Sequence, residues 1–98
     1  MADALVPDDF RALDAPLELD IDVAGASVTL RLSVDAVETL PAHRLREHPF
    51  SLVLRGPVTP VLPQAIYPLR HPRLGLIELF LVPVGQDAQA TRYEALFN

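Results

Sequence analysis

The residues best able to do chemistry in this sequence are arginines. Arg44 and Arg46 precede the segment "FSLVLRG", Arg55 stands at its end, and Arg70 and Arg73 sit in the "RHPR" turn, where His71 joins them. A guanidinium fork matches carboxylate and phosphate geometry, so such a set suits an anion. If the loops converge, Arg44, Arg46, Arg55, Arg70, His71 and Arg73 form a rim for an anion or an acidic partner. With Tyr67 nearby in sequence, the same rim suits a small ligand or a glycan. The competing use of these arginines is internal: pairing with the acids of the first 38 residues.

Other chemistry has less to build on. Glu18, Asp20 and Asp22 alternate along one strand face, roughly 7 Å apart in succession. A straight strand does not wrap a calcium ion, and no Asp-x-Asp-x-Asp-Gly loop is present. The row reads as the solvated side of a strand. His43, His48 and His71 match no zinc signature, and "HExxH" is absent. The chain has no cysteine, which removes thiolate metal sites, disulfides and cysteine nucleophiles together. Ser27, Ser33 and Ser51 stand outside any "GxSxG" elbow, and the four glycines build no phosphate loop. The expectation is a protein with no metal, no cofactor, no catalytic residues and no enzymatic activity.

Half of the 98 residues are hydrophobic, enough for a packed core and for one domain. Residues 1 to 38 carry nine acids against two arginines, and residues 39 to 98 carry four acids against six arginines. A larger basic surplus is needed to hold nucleic acid. No apolar run reaches the length that spans a bilayer. The N-terminus "MADALVPDDF" has aspartates where a secretory signal has positive charge. These features predict a cytoplasmic protein that binds neither nucleic acid nor membrane.

Alternation then places the elements. "VPDDFRALDA" reads as a short helix with Pro7 in its first turn and Phe10 and Leu13 on one face. Leu17, Leu19, Ile21 and Val23 alternate with acids, and Val28, Leu30, Leu32 and Val34 alternate with Thr29, Arg31 and Ser33. This is a β-hairpin. A two-residue Gly25-Ala26 loop of type II′ sets Val23 against Val28, Ile21 against Leu30 and Asp20 against Arg31. "AVETLPAHRLREHP" reads as a connection. "FSLVLRG" is a third strand with Phe50, Leu52 and Leu54 inward. "PVTPVLPQ" is a stiff loop.

"AIYPLR" and "GLIELFLVPV" are two further strands, joined by a turn in which Pro72 bends the chain and Gly75 takes positive φ. Leu76 to Val84 is apolar on both faces apart from Glu78, so it is expected to be a central strand covered on both sides. Pro68 and Pro83 are expected at bulges or at ladder positions facing away from a partner. "QDAQAT" is a turn, and "RYEALF" is a last strand with Tyr93, Ala95 and Phe97 inward. The fold class is therefore all-β: about six short antiparallel strands in a small barrel or sandwich, with one short N-terminal helix. Residues 1–98 form a single domain, with 1–15 as a helical lid and 16–98 as the β domain.

The pattern "HPFSLVLRGP … LPQAIYPLRHPRLGLIELFLVPVG … RYEALFN" resembles a family of small bacterial proteins known as a domain of unknown function. The resemblance covers residues 49 to 98 well and residues 1 to 48 loosely, through the helix and hairpin. It carries an association with genes for tail-collar proteins of the microcystin-dependent type, which resemble phage tail-fibre parts. The resemblance implies a structural or accessory role beside a tail-like assembly and supplies no site residues. Together these readings predict a non-catalytic interaction or accessory module with a protein partner, a tail-collar-type protein. The chain would be cytoplasmic or carried within the tail-like particle. A homodimer is a second way to cover the apolar strand. The alternative function is a glycan or small-ligand domain using the arginine rim.

Overall fold

Period-two alternation puts one side of each strand in the core, and six such strands close on themselves. The computed structural model describes residues 5–41 and 49–97. The elements are α1 (Pro7–Arg11), β1 (Leu17–Val23), β2 (Ala26–Thr39), β3 (Phe50–Gly56), β4 (Ala65–His71), β5 (Gly75–Gln86) and β6 (Thr91–Phe97). The strands form a closed antiparallel barrel in the order β1-β2-β3-β6-β5-β4. Closure removes free sheet edges wherever the ladders are complete.

The buried strand residues follow the alternation, except that Val23 and Val28, assigned to the same face near the hairpin tip, are exposed. Leu17, Leu19, Leu30, Leu32, Phe50, Leu52, Leu54, Tyr93, Ala95 and Phe97 are all buried. Pro7 starts α1, and the helix lays Phe10 over one end of the barrel. Phe10 sits 5.8 Å from Phe50 and 5.5 Å from Phe97, whose rings stack at 4.2 Å. Leu13 packs against the same cluster. Phe10 and Leu13 thus bring α1 against that end of the core.

The hairpin register differs from the expectation by two residues. The loop is Ala24-Gly25, with φ of 52° and 84°, and Val23 pairs with Ala26. Positive φ at both central positions is the type I′ turn, whose twist matches the flanking strands. Glycine therefore takes the second central position, and Ala24 is held in the left-handed region. A shift of two preserves every face but changes the neighbours. Asp20 opposes Thr29, and Glu18 opposes Arg31. The register gives each acid its own partner: Thr29 Oγ1 donates to Asp20 at 2.7 Å and Arg31 Nε donates to Glu18 at 3.1 Å.

β2 is also longer than the alternation suggested. Residues 36–39, expected in a connection, continue the strand and pair with β3 from Ala36↔Val53 to Thr39↔Phe50. A bulge lies between Val34 and Ala36. The extra residue, Asp35, switches the inward positions from even to odd numbers, which is why the periodicity looks broken there.

The "HPRL" turn forms as expected, with His71 paired to Gly75 and Gly75 at φ 76°. Pro83 stands directly before a bulge in the β5–β6 ladder. Pro68 lies in β4, whose pairing with β1 is limited to Glu18↔Arg70. Residues 57–64 form the loop, with a cis Thr59-Pro60 bond and Leu62 turned into the core.

One expectation fails on β5. Ile77, Leu79 and Leu81 are buried, but the opposite face is open, with Leu76, Phe80 and Val84 exposed. In a barrel of one sheet the outer side has no second layer, so the strand is covered on one side only.

Candidate functional site

The arginines separate into groups. Arg44 and Arg46 lie outside the described residues. Arg55 is near the end of β3, and Arg70, His71 and Arg73 are at the end of β4 and in the turn after it. β3 and β4 are not neighbours in the barrel; two strands separate them in either direction. The described part of the set therefore does not converge. It is one cluster at the β4–β5 turn plus Arg55 on the far side.

Within the cluster, the side chains are engaged by the protein itself. Arg70 donates to Asp20 at 2.9 Å and approaches Glu18 at 3.8 Å. Glu18 also holds Arg31 at 3.1 Å. The hydrogen bond from Thr29, then the Arg70 guanidinium, holds the Asp20 carboxyl below the usual carboxylate range. Asp20 in turn raises the pKa of Arg70, through its hydrogen bond first and its charge second. The acid row is thus threaded with arginine rather than open to a cation. Arg73 donates to the Asp9 carbonyl of α1 at 3.4 Å, fastening the turn to that helix. His71 is buried, and its Nδ1 accepts the Arg73 amide at 3.0 Å and the Leu74 amide at 3.4 Å. It acts as the internal acceptor of the turn, as an Asx side chain does in its own turn. Its Nε2 meets no hydrogen-bond partner among the described residues.

A second charged group sits across the barrel. Arg92 donates to Asp87 at 2.7 Å and to Asp35 at 3.2 Å. Asp87 also accepts the Gln89 and Ala90 amides, at 2.8 and 2.9 Å, closing the β5–β6 turn. Arg92 first, and then those amides, lower the Asp87 pKa to about 2. Arg55 opposes Arg92 in the β3–β6 ladder. Of the arginine set, the competing use, pairing with acids of the first 38 residues, describes Arg70; Arg31 and Arg92, outside the set, make similar pairs. His43 and His48 lie outside the described residues. Among the described residues, no three histidine, aspartate or glutamate side chains gather as metal ligands would.

The feature that residue types did not flag is apolar. Ile66 pairs with Phe80 across the β4–β5 ladder, and both point outward. Ile66 is 66% exposed, Phe80 49% and Leu96 50%. Phe80, Val82, Glu94 and Leu96 line a shallow hollow of about 270 Å³ on that face. Val84 lies exposed further along β5, and Leu76 is exposed beyond the intervening Glu78. The signal was present in the sequence as a strand apolar on both faces. A groove of about 410 Å³ also runs between α1 and the end of β2, walled by Val6, Pro7, Leu40 and Pro49. Its charged groups, Asp8 and Arg11, pair with each other at 2.6 Å.

A family model matches residues 5–97 of the chain, nearly its whole length. The chain belongs to the family described as a domain of unknown function, DUF6916. The match includes the helix and the β1–β2 hairpin, so the N-terminal half of a DUF6916 domain is as much part of it as the C-terminal half. No curated protein and no solved structure matches the chain.

Proposed function

We propose that this domain is a non-catalytic interaction module that docks a partner protein on the outer apolar face of β4, β5 and β6. One observation carries the reading: the row Ile66–Phe80 with Leu96 beside it, flanked by Leu76, Val82 and Val84, lies exposed on a barrel whose core is otherwise closed. Contiguous exposed apolar residues rimmed by polar ones mark interaction surfaces. Here Glu78, Arg92 and Glu94 supply the rim on neighbouring outward positions.

The partner class we propose is a tail-collar-type protein, with the domain an accessory piece beside a tail-like assembly. It works in the cytoplasm or within the particle. The support is the tail-collar association that the sequence resemblance implies, together with the open face. The glycan or small-ligand reading draws less support, because within its rim Arg70 is held by Asp20 and Glu18, Arg73 donates to the Asp9 carbonyl, and Arg55 stands two strands away.

The test is binding of the recombinant collar-type protein, measured by calorimetry. The native chain should bind saturably, and Phe80→Glu should weaken binding at least tenfold while its melting temperature stays close to native. Binding that survives Phe80→Glu sinks the docking face. Saturable binding of a glycan or anion, abolished by Arg73→Ala, favours the alternative.

A further inference from the structure

The β1–β2 hairpin outruns the barrel. β2 begins to pair with β3 only at Ser33↔Arg55, and β1 meets β4 only at Glu18↔Arg70. Residues 26 to 32 of β2 therefore have no strand on their second side among the described residues. The molecule is accordingly long, 44 × 27 × 24 Å. A two-stranded ribbon alone is marginally stable, and a free edge is a template for another strand.

The two edges of this arm are not alike. The β1 edge carries Asp20 and Asp22, the charged guard that keeps edges apart. The β2 edge reads "ASVTL" from Ala26 to Leu30, uncharged and rich in β-branched residues. The turn fixes which groups face outward. A two-residue loop makes Val23–Ala26 a hydrogen-bonded pair, so along β2 the residues alternate in direction. Val28 and Leu30 turn their amides and carbonyls to β1. Ser27, Thr29 and Arg31 turn theirs to the open side.

We infer that two copies of this chain pair through the β2 arm, antiparallel, about a two-fold axis at Thr29. This goes beyond the docking face, because it uses a different surface and a different occupant. Thr29 opposite its twin is the register that uses all three outward residues, with Ser27 set against Arg31 on both sides of the axis. A shift by two residues brings either the Gly25 turn or Ser33, already held by β3, into the pairing. The register also keeps faces together, with Val28 beside Leu30 of the second copy. It sets Arg31 in the row of the other copy's Asp22, a carboxylate with no ion pair among the described residues. Threonine pairs directly across strands are favourable. A two-fold contact of this kind is self-complementary and closed.

Sedimentation equilibrium of the full chain tests this. The native chain should approach twice 10.8 kDa as concentration rises. Thr29→Pro removes an amide that faces away from β1, so the variant should fold with the native circular dichroism spectrum and stay monomeric. Thr29→Lys places a lysine opposite Asp20 within the chain but against its own twin across the axis, and should also be monomeric. The chain has no cysteine, so Thr29→Cys gives a single reporter. Opposed Cα atoms of a hydrogen-bonded pair lie about 5.5 Å apart, within disulfide reach. Thr29→Cys should cross-link on oxidation several-fold faster than Ser27→Cys, and Phe80→Glu should leave the dimer intact. The proposal fails if the native chain is monomeric throughout, or if folded Thr29→Pro and Thr29→Lys variants both dimerise. It fails equally if Ser27→Cys cross-links as fast as Thr29→Cys, or if Phe80→Glu alone breaks the dimer.

Discussion

The Leu62 amide donates to the Tyr93 hydroxyl at 2.9 Å, a buried bond between residues 31 positions apart. It ties the proline loop to the last strand. Tyr93 is among the largest fully buried side chains, and its ring completes the core at that end. Tyr93→Phe keeps the ring and leaves the Leu62 amide unpaired. A buried donor without a partner costs about 1–3 kcal/mol. Urea unfolding should show a loss in that range with an unchanged m-value, and a native midpoint would show that the loop amide finds water instead.

Gly75 closes the β4–β5 turn at φ 76°, and a Cβ there would meet nothing within 4 Å. The cost of Gly75→Val is therefore backbone strain alone, about 1–3 kcal/mol. Gly75→Asn should be milder, because asparagine tolerates the left-handed region better than valine does. Equal melting temperatures for the two variants would contradict this assignment.

Asp87 gives the fold an acid limit. Its folded pKa is about 2, against an ordinary 3.8. Depression means that the stabilisation is fully present above the ordinary value and is lost as pH falls from 3.8 towards 2. Asp20 is shifted in the same direction and adds to the trend. Asp87→Asn should flatten the fall of melting temperature across this window. Parallel pH profiles for the native and variant chains would remove Asp87 from the explanation.

The hairpin register is open to a double-mutant cycle. Glu18→Gln and Arg31→Gln should couple favourably by about 0.2–1 kcal/mol, fading with salt. Asp20→Asn and Arg31→Gln should show weaker coupling, because Asp20 opposes Thr29 and is held by Arg70. The reverse ranking would restore the register with Gly25-Ala26 as the loop.

The barrel's inward residues could be read directly, because alternation is a local signal and burial follows it. Leu17, Leu30, Phe50, Leu52, Tyr93 and Phe97 needed no knowledge of strand order. What escaped depended on single residues or on distant ones. Asp35 breaks the period of β2 and hides four paired residues. Ala24 accepts positive φ, and so moves the loop by one position and the register by two. The arginine set needed Arg55 to approach Arg70, and that is decided by barrel order, which alternation does not encode. The apolar outer face was visible on β5, but its lack of cover follows only from closure into one layer.

The join between β1 and β4 has a consequence of its own. One backbone position and the Arg70 guanidinium's contacts with Asp20 and Glu18 bridge it, whereas the other ladders run for several residues. The cylinder is latched there, not welded. Opening should begin along that line, with β1 and β2 swinging out as one leaf while β3 to β6 stay paired. Amide exchange should accordingly rank β1 ahead of β3 and β6 in rate. Added salt, by screening the latch, should speed opening of that leaf more than unfolding of the whole.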